Sequence, residues 1–129
     1  MATVDFQVNL NRVGRQRVAP VAAPSAPLDL SHLRRFTVGN KALEREVLEL
    51  FSEQAPLTLQ AMQLAQTEKA WRDAAHTLKG SAFAVGANEI ARTAAEAELA
   101  RGEPQRWSEL LVRLDAAIRD AQAYIAVAA

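Results

Sequence analysis

The sequence predicts an all-α fold, an up-down four-helix bundle with a short extra helix at its N-terminal end. Three observations lead there. From residue 29 onward apolar side chains recur at helical spacing, and no alternating strand pattern competes. Half of the 129 residues are hydrophobic but only 5% are aromatic, and the abundant alanine favours helix while letting helices approach closely. The segments between the expected helices are short, which makes sequential helices antiparallel neighbours. The length suits one domain with one core.

Residues 1–28 differ from the rest and read as a flexible N-terminal tail. They combine Asn9, Asn11, Gly14 and the arginines Arg12, Arg15 and Arg17 with Pro20, Pro24 and Pro27, a composition that resists packing. The alternation Val4, Phe6, Val8, Leu10 could instead form an extended segment that adds to a partner's surface. The helical bundle is expected over residues 29–129.

The first helix runs over Leu30–Thr37, capped by Asp29 or Ser31 and closed by Gly39 and Asn40. A long second helix extends from about Lys41 to Ala65, with apolar residues at Leu43, Val47, Leu50, Phe51, Leu57, Ala61, Met62 and Ala65. Pro56 lies inside it, where a missing N–H should kink rather than end the helix. Thr67 is placed to cap the third helix, with Glu68 in its first turn favouring the dipole, and Gly86 stops it. The fourth, about Asn88–Arg101, ends at Gly102. The fifth opens near Pro104, a good first-turn residue. Its stripe of Trp107, Leu110, Leu111, Leu114, Ala117, Ile118, Ala121 and Ile125 reads as core.

Composition excludes several function classes. The chain has no cysteine, so it has neither disulfides nor cysteine-ligated zinc, which fits a reducing cytoplasm. Fifteen basic and fifteen acidic residues give zero formal charge, so no global field draws it to nucleic acid or to an anionic membrane. The basic cluster at 12–17 is too short to indicate nucleic-acid binding. No apolar run approaches a membrane span, and the N-terminus lacks a signal-peptide core. A cytoplasmic monomer is the default expectation.

The chemistry-bearing feature is His76-Thr77-Leu78-Lys79-Gly80-Ser81, inside the third helix. At about 100° per residue, Trp71, Ala74, Ala75, Leu78, Ala82 and Val85 cluster roughly 160–260° from His76, whereas Arg72, Lys79, Gly80 and Phe83 fall within about 60° of it. The imidazole therefore faces water, opposite the core stripe, where a free ring nitrogen is a usable nucleophile. Taken alone, His76 would read as a solvated surface histidine. Gly80 argues otherwise, because a mid-helix glycine costs about 1 kcal/mol relative to alanine, and its missing side chain lets another surface come close. Phe83, one turn on, suggests part of a docking patch. Lys79 is placed to neutralise an anion held at the imidazole.

These residues carry a family resemblance. The His-x-Leu-Lys-Gly-Ser core, with the Val85-Gly86-Ala87 ending, resembles the histidine-containing phosphotransfer (HPt) domain of two-component phosphorelays. The likeness extends more loosely over residues 29–127. It implies a four-helix bundle whose histidine accepts a phosphoryl group from a receiver-domain aspartyl phosphate and passes it to another response regulator. By resemblance His76 matches the phosphoacceptor, Lys79 the phosphate-neutralising lysine, and Gly80 the glycine that clears space for the receiver. Glu98 matches a position near the active imidazole, where a carboxylate could hold the ring; read from the residues alone, it is equally a core-edge charge. Arg72 is either a solvated charge or a contact to an acidic receiver. Ser81 can line that contact or bond backbone, with backbone favoured. His32, without a repeated partner, reads as a solvated histidine.

Absences narrow the mechanism. There is no Gly-rich phosphate loop, no Walker pattern and no nucleotide box of a histidine kinase, so no ATP-dependent kinase activity is expected. The chain would be a phosphocarrier without a cofactor or metal of its own, the magnesium ion belonging to the partner receiver. The implied partners are response-regulator receivers and a hybrid sensor histidine kinase. Ending soon after the bundle, the chain reads as a free-standing relay. A non-catalytic module that binds and inhibits a receiver or kinase is the main alternative, although a blocker has no need of the histidine. The phosphoacceptor domain of a chemotaxis-type kinase would want ATP-binding and dimerisation domains downstream, and a metal-storage bundle would want repeated carboxylate–histidine pairs.

Overall fold

The computed structural model describes residues 26–128, and the tail and extended-segment readings over residues 1–25 lie outside them. The described chain forms five helices and no strand: α1 (Leu30–Thr37), α2 (Lys41–Gln63), α3 (Glu68–Ala84), α4 (Asn88–Leu99) and α5 (Pro104–Ala128). α2 packs against α3 and α5, α4 packs against the same two, and α1 lies on α2. α2 and α4 each end two residues earlier than the sequence suggests, with Leu64 and Ala100 as their C-caps. Leu28, grouped with the tail on sequence, is 2% exposed and belongs to the core.

Local signals set the helix starts. The Asp29 side chain accepts from the Ser31 N–H and caps α1. Asn40, expected to help close α1, caps α2 instead by accepting from the Leu43 N–H at 3.0 Å. Thr67 caps α3 through the Ala70 N–H. α3 ends in a Schellman pair, with Ala87 N–H donating to the Ala82 carbonyl and Gly86 N–H to that of Phe83. Gly86 has φ +76°, and a Cβ there would collide with the Asp29 carbonyl. Its own carbonyl accepts from the Asp29 N–H at 2.8 Å. One glycine thus stops α3 and lets the start of α1 dock beside it.

Small residues bring α3 and α4 together, since Ala75, Ala82, Ala94 and Ala97 are all 0% exposed. At the other end of α3 the rings of Trp71 and Trp107 stack 4.1 Å apart. The Trp71 Nε1–H donates to the Ala97 carbonyl at 2.7 Å, so this indole links α3, α4 and α5.

α2 buries only part of the apolar set on its sequence, with Val47 and Ala65 packed against the core from its edge. Phe51 and Met62 are in the core, but their buried companions are Leu48, Ala55, Leu59 and the half-apolar stem of Glu44. Leu43, Leu50, Leu57 and Ala61 are exposed. The physical reason is that α2 carries two apolar stripes on nearly opposite sides, and only one can face the bundle. Pro56 stays within the helix. It has no N–H to offer the Ser52 carbonyl four residues back, and the Gln122 Nε2 of α5 donates to that carbonyl at 3.0 Å.

Candidate functional site

α3 presents His76, Lys79, Gly80 and Phe83 on its outer face, as the helical periodicity predicts. His76 is held between solvent and α4. Its Nδ1 lies 2.8 Å from Glu98 Oε2, and the other carboxylate oxygen, Oε1, is 2.6 Å from Lys79 Nζ. One carboxylate on α4 therefore grips two residues a turn apart on α3. The Glu98 side chain is only 21% exposed, against 68% for His76.

The electrostatics fix the direction of the imidazole bond. The hydrogen bond from Lys79, with a further one from His76, holds the Glu98 carboxyl below its ordinary value against the opposing effect of burial. Ionised at neutral pH, Glu98 can only accept. The proton on the ring therefore sits on Nδ1, and in the neutral ring the lone pair is left on Nε2. The site offers a nucleophilic nitrogen on an exposed side chain, with a cation one turn away and a carboxylate to stabilise positive charge on the ring.

Among the described residues nothing crowds Gly80. A Cβ added there would meet none of their atoms within 4 Å, so the packing of the described residues does not demand a glycine. With Lys79, Phe83, Ala91 and Arg92 it lines a shallow, mainly apolar depression between α3 and α4. Phe83 is 61% exposed.

The aromatic surface is broader than the sequence indicated. His32, read as a solvated histidine, is half-buried, with its ring 4.9 Å from that of Phe83 and 5.5 Å from that of Phe36. The cause is the docking of α1 beside Gly86, which carries α1 across the end of α3. The i,i+4 spacing of His32 and Phe36 was the available signal. Arg72 is exposed one turn before His76, and its charge adds to the hydrogen bond from Lys69 in lowering the Asp73 carboxyl. Ser81 donates to the Leu78 carbonyl and Thr77 to that of Asp73, so both hydroxyls bond backbone.

Glu98 stands 22 residues from His76 in sequence, and periodicity alone could not bring the two together. Among the described residues no group of three or more histidine, cysteine or acidic side chains could hold a metal ion. No described helix is long and apolar enough to cross a membrane. Comparison with known families gives a match to the Hpt domain over residues 46–124, a span that contains His76, Lys79, Gly80 and Glu98. No curated protein and no solved structure matches the chain.

Proposed function

The chain belongs to the Hpt domain family, and from that premise we propose that it is a phosphorelay intermediate with His76 as the phosphoacceptor. Membership places it in two-component phosphotransfer, whose Hpt domains meet receiver domains and histidine kinases. The finer reading is an up-down four-helix bundle, located in the cytoplasm, that takes a phosphoryl group from one receiver and gives it to another. The observation that carries it is the Glu98 carboxylate shared between His76 Nδ1 and Lys79 Nζ.

In the forward step the Nε2 lone pair attacks the phosphorus of a receiver's aspartyl phosphate. The P–N bond forms as the P–O bond to the aspartate breaks, and that bond's electron pair leaves with the aspartate carboxylate. The Nδ1 proton stays in place, and Glu98 stabilises the positive charge that develops on the ring. Lys79 is one turn away to neutralise phosphoryl oxygens, and the bare Gly80 surface admits the receiver. Onward transfer reverses these events: an aspartate of the second receiver attacks phosphorus, and the P–N pair returns to Nε2. Such transfer depends mainly on positioning and charge neutralisation, so this chain needs no ATP site, and the metal is the receiver's.

The test is to incubate the protein with a phosphorylated receiver domain. Label that is acid-labile, base-stable and absent from His76→Gln is the expected result, with helix content and melting of the variant nearly unchanged because the side chain faces water. Tight receiver binding without label, across a panel of receivers, would overturn the relay in favour of an inhibitory module.

A further inference from the structure

The outer face of α2 carries Leu43, Leu50, Leu57 and Leu64, the last being the C-cap residue of the helix. They are 40%, 57%, 56% and 70% exposed. Their spacing is seven residues throughout, the period of a coiled-coil seam, and they run along about 30 Å of helix. The buried residues Leu48, Phe51, Ala55, Leu59 and Met62 lie on the other side of the helix, and among the described residues nothing covers Leu50, Leu57 and Leu64 by more than half, while Leu43 is partly covered. Val47, Gln54 and Ala61 fill the alternate seam positions, Val47 being half-buried against the chain's own core. An apolar stripe that leaves on the order of 400 Å² exposed among the described residues is the size that marks an interaction surface.

We propose that this face pairs with the same face of a second copy of the chain, α2 against α2, in antiparallel orientation. Charge selects both partner and direction. All four carboxylates of α2, Glu44, Glu46, Glu49 and Glu53, lie within residues 41–53 with only Lys41 and Arg45 to offset them, and residues 54–66 carry no charge. Parallel pairing sets two net-acidic halves side by side, whereas antiparallel pairing lays each along the uncharged half of the other copy. A charged partner would find nothing to pair with over residues 54–66, but a two-fold copy of the stripe does. Side-chain size also fits. With Gln54 facing Leu57 of the other copy, Leu50 meets Ala61 and Leu64 meets Val47, large against small. In this register Leu43 falls opposite residue 68 and lies outside the seam, and Leu50, Leu57 and Leu64 of both copies with their flanking residues bury on the order of 1,000 Å² in total, the threshold for a specific interface.

Sedimentation of the full chain over a range of concentrations tests this. A mass twice that of one chain is expected, falling to one chain mass in Leu50→Lys combined with Leu57→Lys, with unchanged melting of the dilute protein. A wild type that stays monomeric to about 1 mM, or a dimer that survives both substitutions, overturns the proposal. Because the chain has no cysteine, single variants report orientation. Leu50→Cys mixed with Ala61→Cys should form a disulfide between the two variants. Disulfides formed by each variant with itself, and none between them, mean parallel pairing and overturn the arrangement.

Discussion

α3 and α2 are neighbours of similar apolar content, yet one was legible in the sequence and the other was not. On α3 the side chains sort into a single apolar stripe and one polar face. Once the stripe is buried, the other face is settled, and His76, Lys79 and Gly80 must lie together in water. On α2 apolar residues fill two opposite faces. Helical periodicity then identifies a helix but not its inner side. Leu48 and Leu50 show the difference: two residues apart and chemically identical, they are 2% and 57% exposed. A helix with a surplus of apolar surface is where function beyond the core is to be sought, while a helix with one clean stripe advertises its site by its polar face.

The comparison breaks most visibly at those two leucines. Leu48→Ala should lower unfolding free energy by about 2–5 kcal/mol, as buried leucine truncations do. Leu50→Ala should change it by no more than about 0.5 kcal/mol in dilute protein. Chemical denaturation at low concentration reads both. Equal losses would mean that the outer face of α2 is covered within the monomer, and the contrast between the two helices would fail.

What could be read from the sequence follows the range of the interaction. Capping at Thr67, the stop at Gly86 and the outward-facing His76 depend on residues a few positions apart, and all three appear as the pattern requires. Contacts between distant elements were not available to that reading. The packing of His32 on Phe83 depends on where α1 docks, which in turn depends on Gly86 tolerating the Asp29 carbonyl. The approach of Glu98 to His76 depends on four alanines that let α3 and α4 come close, and only family resemblance pointed to it. On α2, the outer leucines have the more regular spacing, so periodicity alone does not say which face is buried.

A second contrast separates the helices by how their irregular residues are accommodated. Gly80 on α3 leaves every backbone group bonded and only removes a side chain. Pro56 on α2 deprives the Ser52 carbonyl of its helical partner, and Gln122 from α5, 70 residues away, fills the gap. Gln122→Ala should therefore cost about 1 kcal/mol through the unpaired carbonyl. In a Pro56→Ala background, where residue 56 regains an N–H, the same substitution should cost measurably less. A double-mutant cycle on unfolding free energies checks this. Additive losses would show that Gln122 acts by packing and not through Ser52.

The smallest effect belongs to the outer face of α3, where Glu98 bridges partly exposed partners and the pair contributes about 1 kcal/mol or less. Its signature is a pH dependence. The Glu98 carboxyl in the folded chain lies below its ordinary value of 4.5, chiefly because of Lys79. A carboxylate with a depressed folded pKa stabilises fully above its unfolded value and loses that contribution as pH falls through the folded one. The advantage of wild type over Glu98→Gln in melting temperature should accordingly be present above about pH 4.5 and shrink on further acidification. The two variants Glu98→Gln and Glu98→Leu then separate the functions of the carboxylate. Glutamine keeps an oxygen that can accept from His76 Nδ1 and loses the charge that holds Lys79, while leucine loses both. Slower transfer in leucine than in glutamine would assign Glu98 to orienting the ring; equal losses would assign it to the charge alone, and a melting difference independent of pH would remove the carboxylate's charge from the account.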